Sequence, residues 1–140
     1  MSQLLNKSKT NFSSAELLHK KCLFPSVAHS SYYGCYQLIK HVWLYTMRKS
    51  EADLKTIIDK SQKDRVAEKG SHNVLINEVM KHIRSNNPDD SRVIHTSIGQ
   101  LKRLRTSADY MDEEFSYEQS SKAIELSDRI KPLLKKIIIL

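Results

Sequence analysis

The chain is poor in the residues that build tight turns, since its 140 residues include 3 Gly and 3 Pro. Domains made of many short strands need frequent turns, so this scarcity argues against β-sandwiches and barrels. The hydrophobic fraction of 39% suffices for one core and is too high for a disordered chain. The composition therefore predicts one helical domain over residues 1–140.

Cysteine is also scarce, and Cys22 and Cys35 form no CxxC pair. Two distant thiols give neither a disulfide framework nor a zinc-ligand pattern, so we expect free cysteines and no metal site. The sequence has no Gly-rich phosphate loop. This absence excludes P-loop and Rossmann nucleotide sites, and no cofactor is expected.

Long apolar segments are missing too. The first residues lack the apolar stretch of a signal peptide. The longest apolar run, Ile137–Leu140, is far shorter than the ~20 residues that span a bilayer. The sequence thus predicts a cytoplasmic protein without a membrane partner.

Apolar residues recur at steps of three and four, the spacing of one helix face. Ser13 and Glu16 have the spacing of a capping box and predict a first helix that ends near Pro25, after a tail formed by residues 1–12. A second helix is expected from Pro25 to about Lys49. The charged stretch 59–70 is interpreted as a connection.

Polar residues mark the later helix starts. Ser50, Ser71 and Ser116 stand at predicted N-caps. The turn signal at 86–89 precedes a helix that is expected to begin around Asp90. About five helices with short connections predict an all-α, antiparallel up-and-down bundle.

Three segments together resemble one family, the HEPN domains. Ser26–Gln37 has small residues before the Tyr32-Tyr33 pair and looks like the second helix of these domains. Gly70–Asn73 resembles the short His-bearing segment that opens the family's third helix. Leu101–Tyr110 resembles its Arg-x-x-Ala-Asp-Tyr stretch. The resemblance covers roughly residues 13–131 and implies a HEPN-like bundle.

The resemblance also implies a function and partners. HEPN proteins are usually homodimers and often the toxin of a toxin–antitoxin pair, in which the antitoxin is a small nucleotidyltransferase. In active members, an Arg followed four to six residues later by a His forms a metal-independent ribonuclease site at the dimer interface. The Arg stabilises charge on the scissile phosphate, and the His moves the proton of the 2′-hydroxyl. The expected ligand is thus a nucleotide or RNA.

The chain departs from this pattern at the catalytic pair. Arg105 is present, but no His follows it four to six residues on, and Tyr110 takes the first allowed place. A Tyr with its ordinary pKa of ~10 is a poor general base near pH 7. The resemblance therefore carries over Arg105 as the candidate catalytic residue but not the ribonuclease pair. Asp109, at i+4, is expected to pair with Arg105 or orient it.

Four residues are candidates for ligand binding beside Arg105. Among the tyrosines at positions 32, 33 and 36, only the second is expected to face a groove. His29 and His72 lie on predicted elements that, by the resemblance, flank the cleft of the family. Lys102 forms a local basic patch with Arg103 and Arg105. These candidates are Tyr33, His29, His72 and Lys102.

Two other functions stay open at the level of sequence. A catalytically silent dimer that serves only binding or assembly would use the same fold. A helix-turn-helix DNA-binding protein is suggested by the turn at 86–90, although the helix after it lacks an obvious base-reading face.

The net charge of +7 is unevenly distributed along the chain. Residues 1–50 hold seven Lys or Arg and one acid, residues 51–100 eight of each sign, and residues 101–140 eight basic and seven acidic residues. Because the excess does not lie around Arg105, we expect an anion site to depend on a few placed residues.

Overall fold

The computed structural model describes residues 2–63 and 70–138, and these residues form six α-helices and no strand. The described part of the chain is therefore an all-α bundle, as the scarcity of Gly and Pro predicts. None of its helices is long and apolar enough to cross a membrane. The helices are α1 (Gln3–Lys20), α2 (Phe24–His41), α3 (Glu51–Lys63), α4 (Ser71–Asn86), α5 (Pro88–Tyr110) and α6 (Tyr117–Ile138).

Helix α2 is the centre of the bundle. Helices α1, α5 and α6 pack on it, and α4 packs chiefly on α5. Small residues such as Ala28, Ser31 and Gly34 are buried along α2 and let its neighbours approach closely. A π-helical segment, Val42–Thr46, extends α2, and the Trp43 indole N–H donates to the Ser50 carbonyl at 3.0 Å.

Two of the predicted N-caps, Ser50 and Ser116, are confirmed. At the start of α3, the Asp53 amide donates to Ser50 Oγ at 3.0 Å, and the Ser50 amide donates to the Asp53 carboxylate at 2.9 Å. Ser116 and Gln119 exchange the same pair of bonds before α6. Both pairs satisfy amide groups that a helix start leaves without an intrahelical partner.

The tail predicted for residues 1–12 is wrong, because α1 begins at Gln3. Ser2 caps this helix by accepting from the Leu4 amide at 3.1 Å. Burial of Ser8 and Ala15 holds the helix in the bundle, and helices in proteins depend mostly on such packing. The Ser13 capping pattern therefore lies in mid-helix, and α1 ends at Lys20, short of Pro25.

Three further boundaries differ from the prediction. The connection expected at 59–70 is helical as far as Lys63, and 64–69 lie outside the described residues. The N-cap of α4 is Gly70 rather than Ser71. Helix α5 begins at Pro88, two residues before the expected Asp90, and the Asn87 side chain caps it by accepting from the Asp90 amide.

Candidate functional site

Side chains from three helices meet around Arg105. Helix α2 contributes three tyrosines within two turns, the first turn of α4 contributes an imidazole and an amide, and α5 contributes two cations one turn apart. We call this cluster the Arg105 site; it consists of Tyr32, Tyr33, Tyr36, His72, Asn73, Lys102 and Arg105.

Two tyrosines of α2 hold the Arg105 guanidinium. Its Nη1 donates to the Tyr33 hydroxyl at 2.8 Å. Its Cζ lies 5.0 Å from the ring centroid of Tyr32 and 5.4 Å from that of Tyr33, within range for cation–π attraction. The Nε atom is buried and forms no hydrogen bond within the described residues. Arg105 is therefore fixed by aromatic rings, and no acid of residues 2–63 or 70–138 forms an ion pair with it.

The imidazole of His72 is fixed from two sides. Its Nδ1 lies 3.0 Å from the Tyr32 hydroxyl, and its ring stacks on Tyr36 with centroids 3.9 Å apart. Burial and the nearby positive charges, Lys102 first among them, lower the pKa of His72 below its ordinary value. His72 is therefore neutral near pH 7.

The direction of the Tyr32–His72 bond follows from the state of Tyr32. The Tyr32 side chain is fully buried, and this burial raises the pKa of its hydroxyl, so the group keeps its proton. Within the described residues that proton has one acceptor, His72 Nδ1. We therefore assign the proton of neutral His72 to Nε2, which makes this nitrogen a donor.

Lys102 is the second cation of the site. Its Nζ donates to the Asn73 side-chain carbonyl at 2.8 Å. Burial and the charge of Arg105 lower the pKa of Lys102. Among the described residues, no carboxylate lies within ion-pair distance of Lys102 or Arg105. The site thus combines two adjacent, uncompensated cations with an imidazole N–H donor.

The expected pairing of Arg105 with Asp109 does not form in the described part of the chain. The Asp109 carboxylate lies instead 3.5 Å from His29 Nδ1. Arg105 turns inward against the tyrosines of α2, and Tyr33 orients it in place of Asp109. The His29 ring, 4.7 Å from the ring of Tyr33, places this second pair at the edge of the site.

Tyr110 does not enter the site. It is the last residue of α5, its side chain is 73% exposed, and it makes no hydrogen bond to Arg105. The structure therefore brings four of the predicted residues together or next to one another and leaves Tyr110 in solvent. Those four are Tyr33, His72, Lys102 and Arg105.

Sequence reasoning missed three members of the site. Tyr32 and Tyr36 were expected to fill the core, and Tyr32 is buried there while Tyr36 packs against it. The prediction missed that Tyr32 also binds His72 and that Tyr36 stacks on it. Asn73 gave no signal, because its partner Lys102 is 29 residues away in the chain. The described residues contain no group of three or more His, Cys, Asp or Glu side chains that could hold a metal ion.

Comparison with known proteins found no matching family model, no matching curated protein and no matching solved structure.

Proposed function

We propose that this chain is a HEPN-type helical protein that binds the phosphate of a nucleotide or of RNA at the Arg105 site. The observation that carries the proposal is the pair of Lys102 and Arg105, which lie one turn apart on α5 without a carboxylate partner in the described residues. Two cations that repel each other in a half-buried site gain most from a bound anion.

The free donors of the site favour phosphate among the anions. Arg105 has five N–H donors, of which one bonds to Tyr33 and the Nε–H is buried, while Lys102 has three and gives one to Asn73. His72 Nε2 adds another donor. Phosphate offers several oxygens to such a set, and Arg binds it with two parallel bonds. At the edge of the site, the adjacent rings of His29 and Tyr33 offer a surface on which a base can stack.

The same geometry favours binding without cleavage. A metal-independent ribonuclease needs a group that takes the proton of the 2′-hydroxyl. In His72 the basic nitrogen is occupied by Tyr32, and Tyr110, in the place of the family's His, lies in solvent. The proposed function is therefore that of a toxin-related HEPN protein with a silent catalytic centre. Its resemblance to the family extends the proposal to a cytoplasmic homodimer that works with a nucleotidyltransferase partner.

The proposal is tested by the binding of a fluorescent adenine nucleotide and of a labelled RNA oligonucleotide. Arg105→Ala removes the guanidinium held by the tyrosines, so we expect at least a ten-fold loss of affinity for both, equivalent to about 1.4 kcal/mol. The matched control is Arg129→Ala, since Arg129 lies on α6 and pairs with the exposed Glu125. Equal affinity of the two variants would overturn the proposal.

A second arm tests the silent centre and the partner. Intact labelled RNA after incubation with excess wild-type protein is the expected result, and cleavage that Arg105→Ala abolishes would show a ribonuclease instead. The proposed partner predicts that the reading frame beside this chain encodes a small nucleotidyltransferase, and that the two proteins co-purify when they are co-expressed. Sedimentation of the chain alone should give twice the mass of 16.2 kDa.

A further inference from the structure

A second positively charged surface lies between α4 and α5, next to the Arg105 site. Two cavities follow the groove between α4 and α5. One of about 530 Å³ lies where α4 ends and α5 begins, and Lys81, Arg84 and Arg92 line it. The other, of about 470 Å³, lies towards the start of α4, and Lys102 and Arg103 line it. We call these two cavities together the α4–α5 groove.

The lining of the groove carries charge of one sign. Five of its residues are Lys or Arg, and none is Asp or Glu. Glu78 and Asp89 pair with Lys81 at 3.7 Å and with Arg92 at 2.9 Å without lining either cavity. Half of the other ten lining residues have short polar side chains, namely Asn73, Asn77, Ser91, Thr106 and Ser107. Ammonium, guanidinium, amide and hydroxyl groups are the side chains that proteins use to contact phosphates.

The length and width of the groove suit a single nucleic-acid strand. Arg92 and Arg103 are eleven residues apart on α5, which corresponds to about 16 Å along the helix axis. Gly99 lies between them and leaves the floor open; a Cβ there would meet only Arg103 Nη1, at 3.8 Å. Packed helices stand about 8–10 Å apart, so the groove between them admits one backbone more readily than a duplex.

We propose that the α4–α5 groove binds the sugar–phosphate backbone of single-stranded RNA in line with the Arg105 site. Lys102 connects the two, because it lines the groove and also belongs to the Arg105 site. No aromatic side chain other than the His95 imidazole lines either cavity, so the contacts are to the backbone and do not depend on sequence. For the class of ligand, this inference rests on the proposed function.

The test compares two double variants that remove the same charge. Arg84→Gln with Arg103→Gln changes two exposed groove residues that form no ion pair in the described residues. Arg129→Gln with Lys135→Gln, on α6, is the control. Binding of a labelled 15-nucleotide single-stranded RNA is measured against salt. Each phosphate contact contributes about 0.7 to the salt slope for single strands, so the groove variant should lower the slope by about 1.4 more than the control.

Binding of a mononucleotide, measured with the same variants, separates this inference from the proposed function. The groove variant should leave the affinity for a mononucleotide unchanged, whereas Arg105→Ala should lower the affinity for both ligands. If Arg105→Ala has no effect but the groove variant still lowers RNA binding, RNA binding by the groove is supported and phosphate binding at the Arg105 site is refuted. Equal salt slopes for the groove and control variants would overturn the groove, as would tighter binding of duplex DNA or duplex RNA than of the single strand.

Discussion

The buried hydroxyl of Tyr32 forms a hydrogen bond with Nδ1 of the His72 imidazole, and the two atoms lie 3.0 Å apart. Both groups are neutral, because the pKa of the hydroxyl is raised and that of the imidazole is lowered. Among the described residues the hydroxyl proton has no other acceptor, so we assign Tyr32 as the donor and Nδ1 of His72 as the acceptor. Because Nδ1 accepts, the imidazole proton of His72 is on Nε2. His72 is therefore an N–H donor in the same site as Arg105 and Lys102. The bond makes the Arg105 site a set of donors suited to an anion.

Replacing Tyr32 by Phe should raise the pKa of His72. The hydroxyl stabilises the neutral imidazole, and its loss also leaves Nδ1 without its partner, at a cost of about 1 kcal/mol in the free energy of unfolding. A pH titration of the His72 ring by NMR and a urea denaturation curve measure the two effects. Tyr36→Phe is the control, since it keeps the ring stacked on His72. A His72 pKa that is the same in both variants would contradict the assigned bond.

Stability should fall as the pH falls below the ordinary His pKa of ~6.5. Burial lowers the pKa of His41, and burial with nearby cations lowers that of His72, so the unfolded chain binds more protons than the folded chain in this range. The stabilisation is complete above pH ~6.5 and is lost as the pH falls through the lower folded-state values. Urea denaturation between pH 8 and pH 5 measures it.

The contribution of His72 to this pH dependence of stability is isolated by His72→Asn, which keeps an acceptor for Tyr32 but removes the titrating group. This variant should show a shallower loss of stability towards pH 5 than the wild type, with the remaining slope due in part to His41. A slope unchanged from the wild type would mean that His72 titrates alike in the folded and unfolded chains.

Tyr33→Phe should weaken nucleotide binding without removing a charge. The substitution deletes the hydroxyl that accepts from Arg105 Nη1 but keeps the aromatic ring beside the guanidinium. We expect a loss of about two- to ten-fold in affinity, the worth of one such hydrogen bond and less than that of Arg105→Ala. Fluorescence anisotropy measures it. Tyr45→Phe, on the exposed Tyr45, is the control and should bind as the wild type does.

Two glycines should respond in opposite ways to replacement by Ala. A Cβ on Gly34 would lie 2.5–2.9 Å from the Phe12 ring, so the close contact of α1 with α2 must open, and we expect a loss of about 1–3 kcal/mol in unfolding free energy. Gly99 has room for a Cβ, so Gly99→Ala should gain about 1 kcal/mol in helix propensity.

Thermal or urea denaturation of the two single variants gives the comparison. In a Phe12→Ala background, which removes the ring that the new Cβ would meet, Gly34→Ala should become stabilising. Destabilisation that persists in this background would show that the steric conflict lies elsewhere than at Phe12.

The sequence by itself determined the helical class and the starts of α3 and α6. Scarcity of Gly and Pro leaves few places for the turns of a sheet, and helices remain. The capping bonds of Ser50 with Asp53 join residues three apart, so their spacing is readable in the chain. The same local reasoning failed at residues 3–12, since the stability of α1 comes from packing on α2, which no local pattern records.

Only the tertiary structure decided which groups surround Arg105. Spacing predicted Asp109 as its partner at i+4, but the guanidinium gains more from the rings and hydroxyl of α2, 72 residues away, than from an exposed ion pair. Likewise, residues 51–140 carry 16 basic and 15 acidic side chains, and yet every Lys, Arg, Asp or Glu that lines the α4–α5 groove is a cation. Charge along a chain is a sum, whereas the field at a site depends on which side chains the packed helices turn towards it.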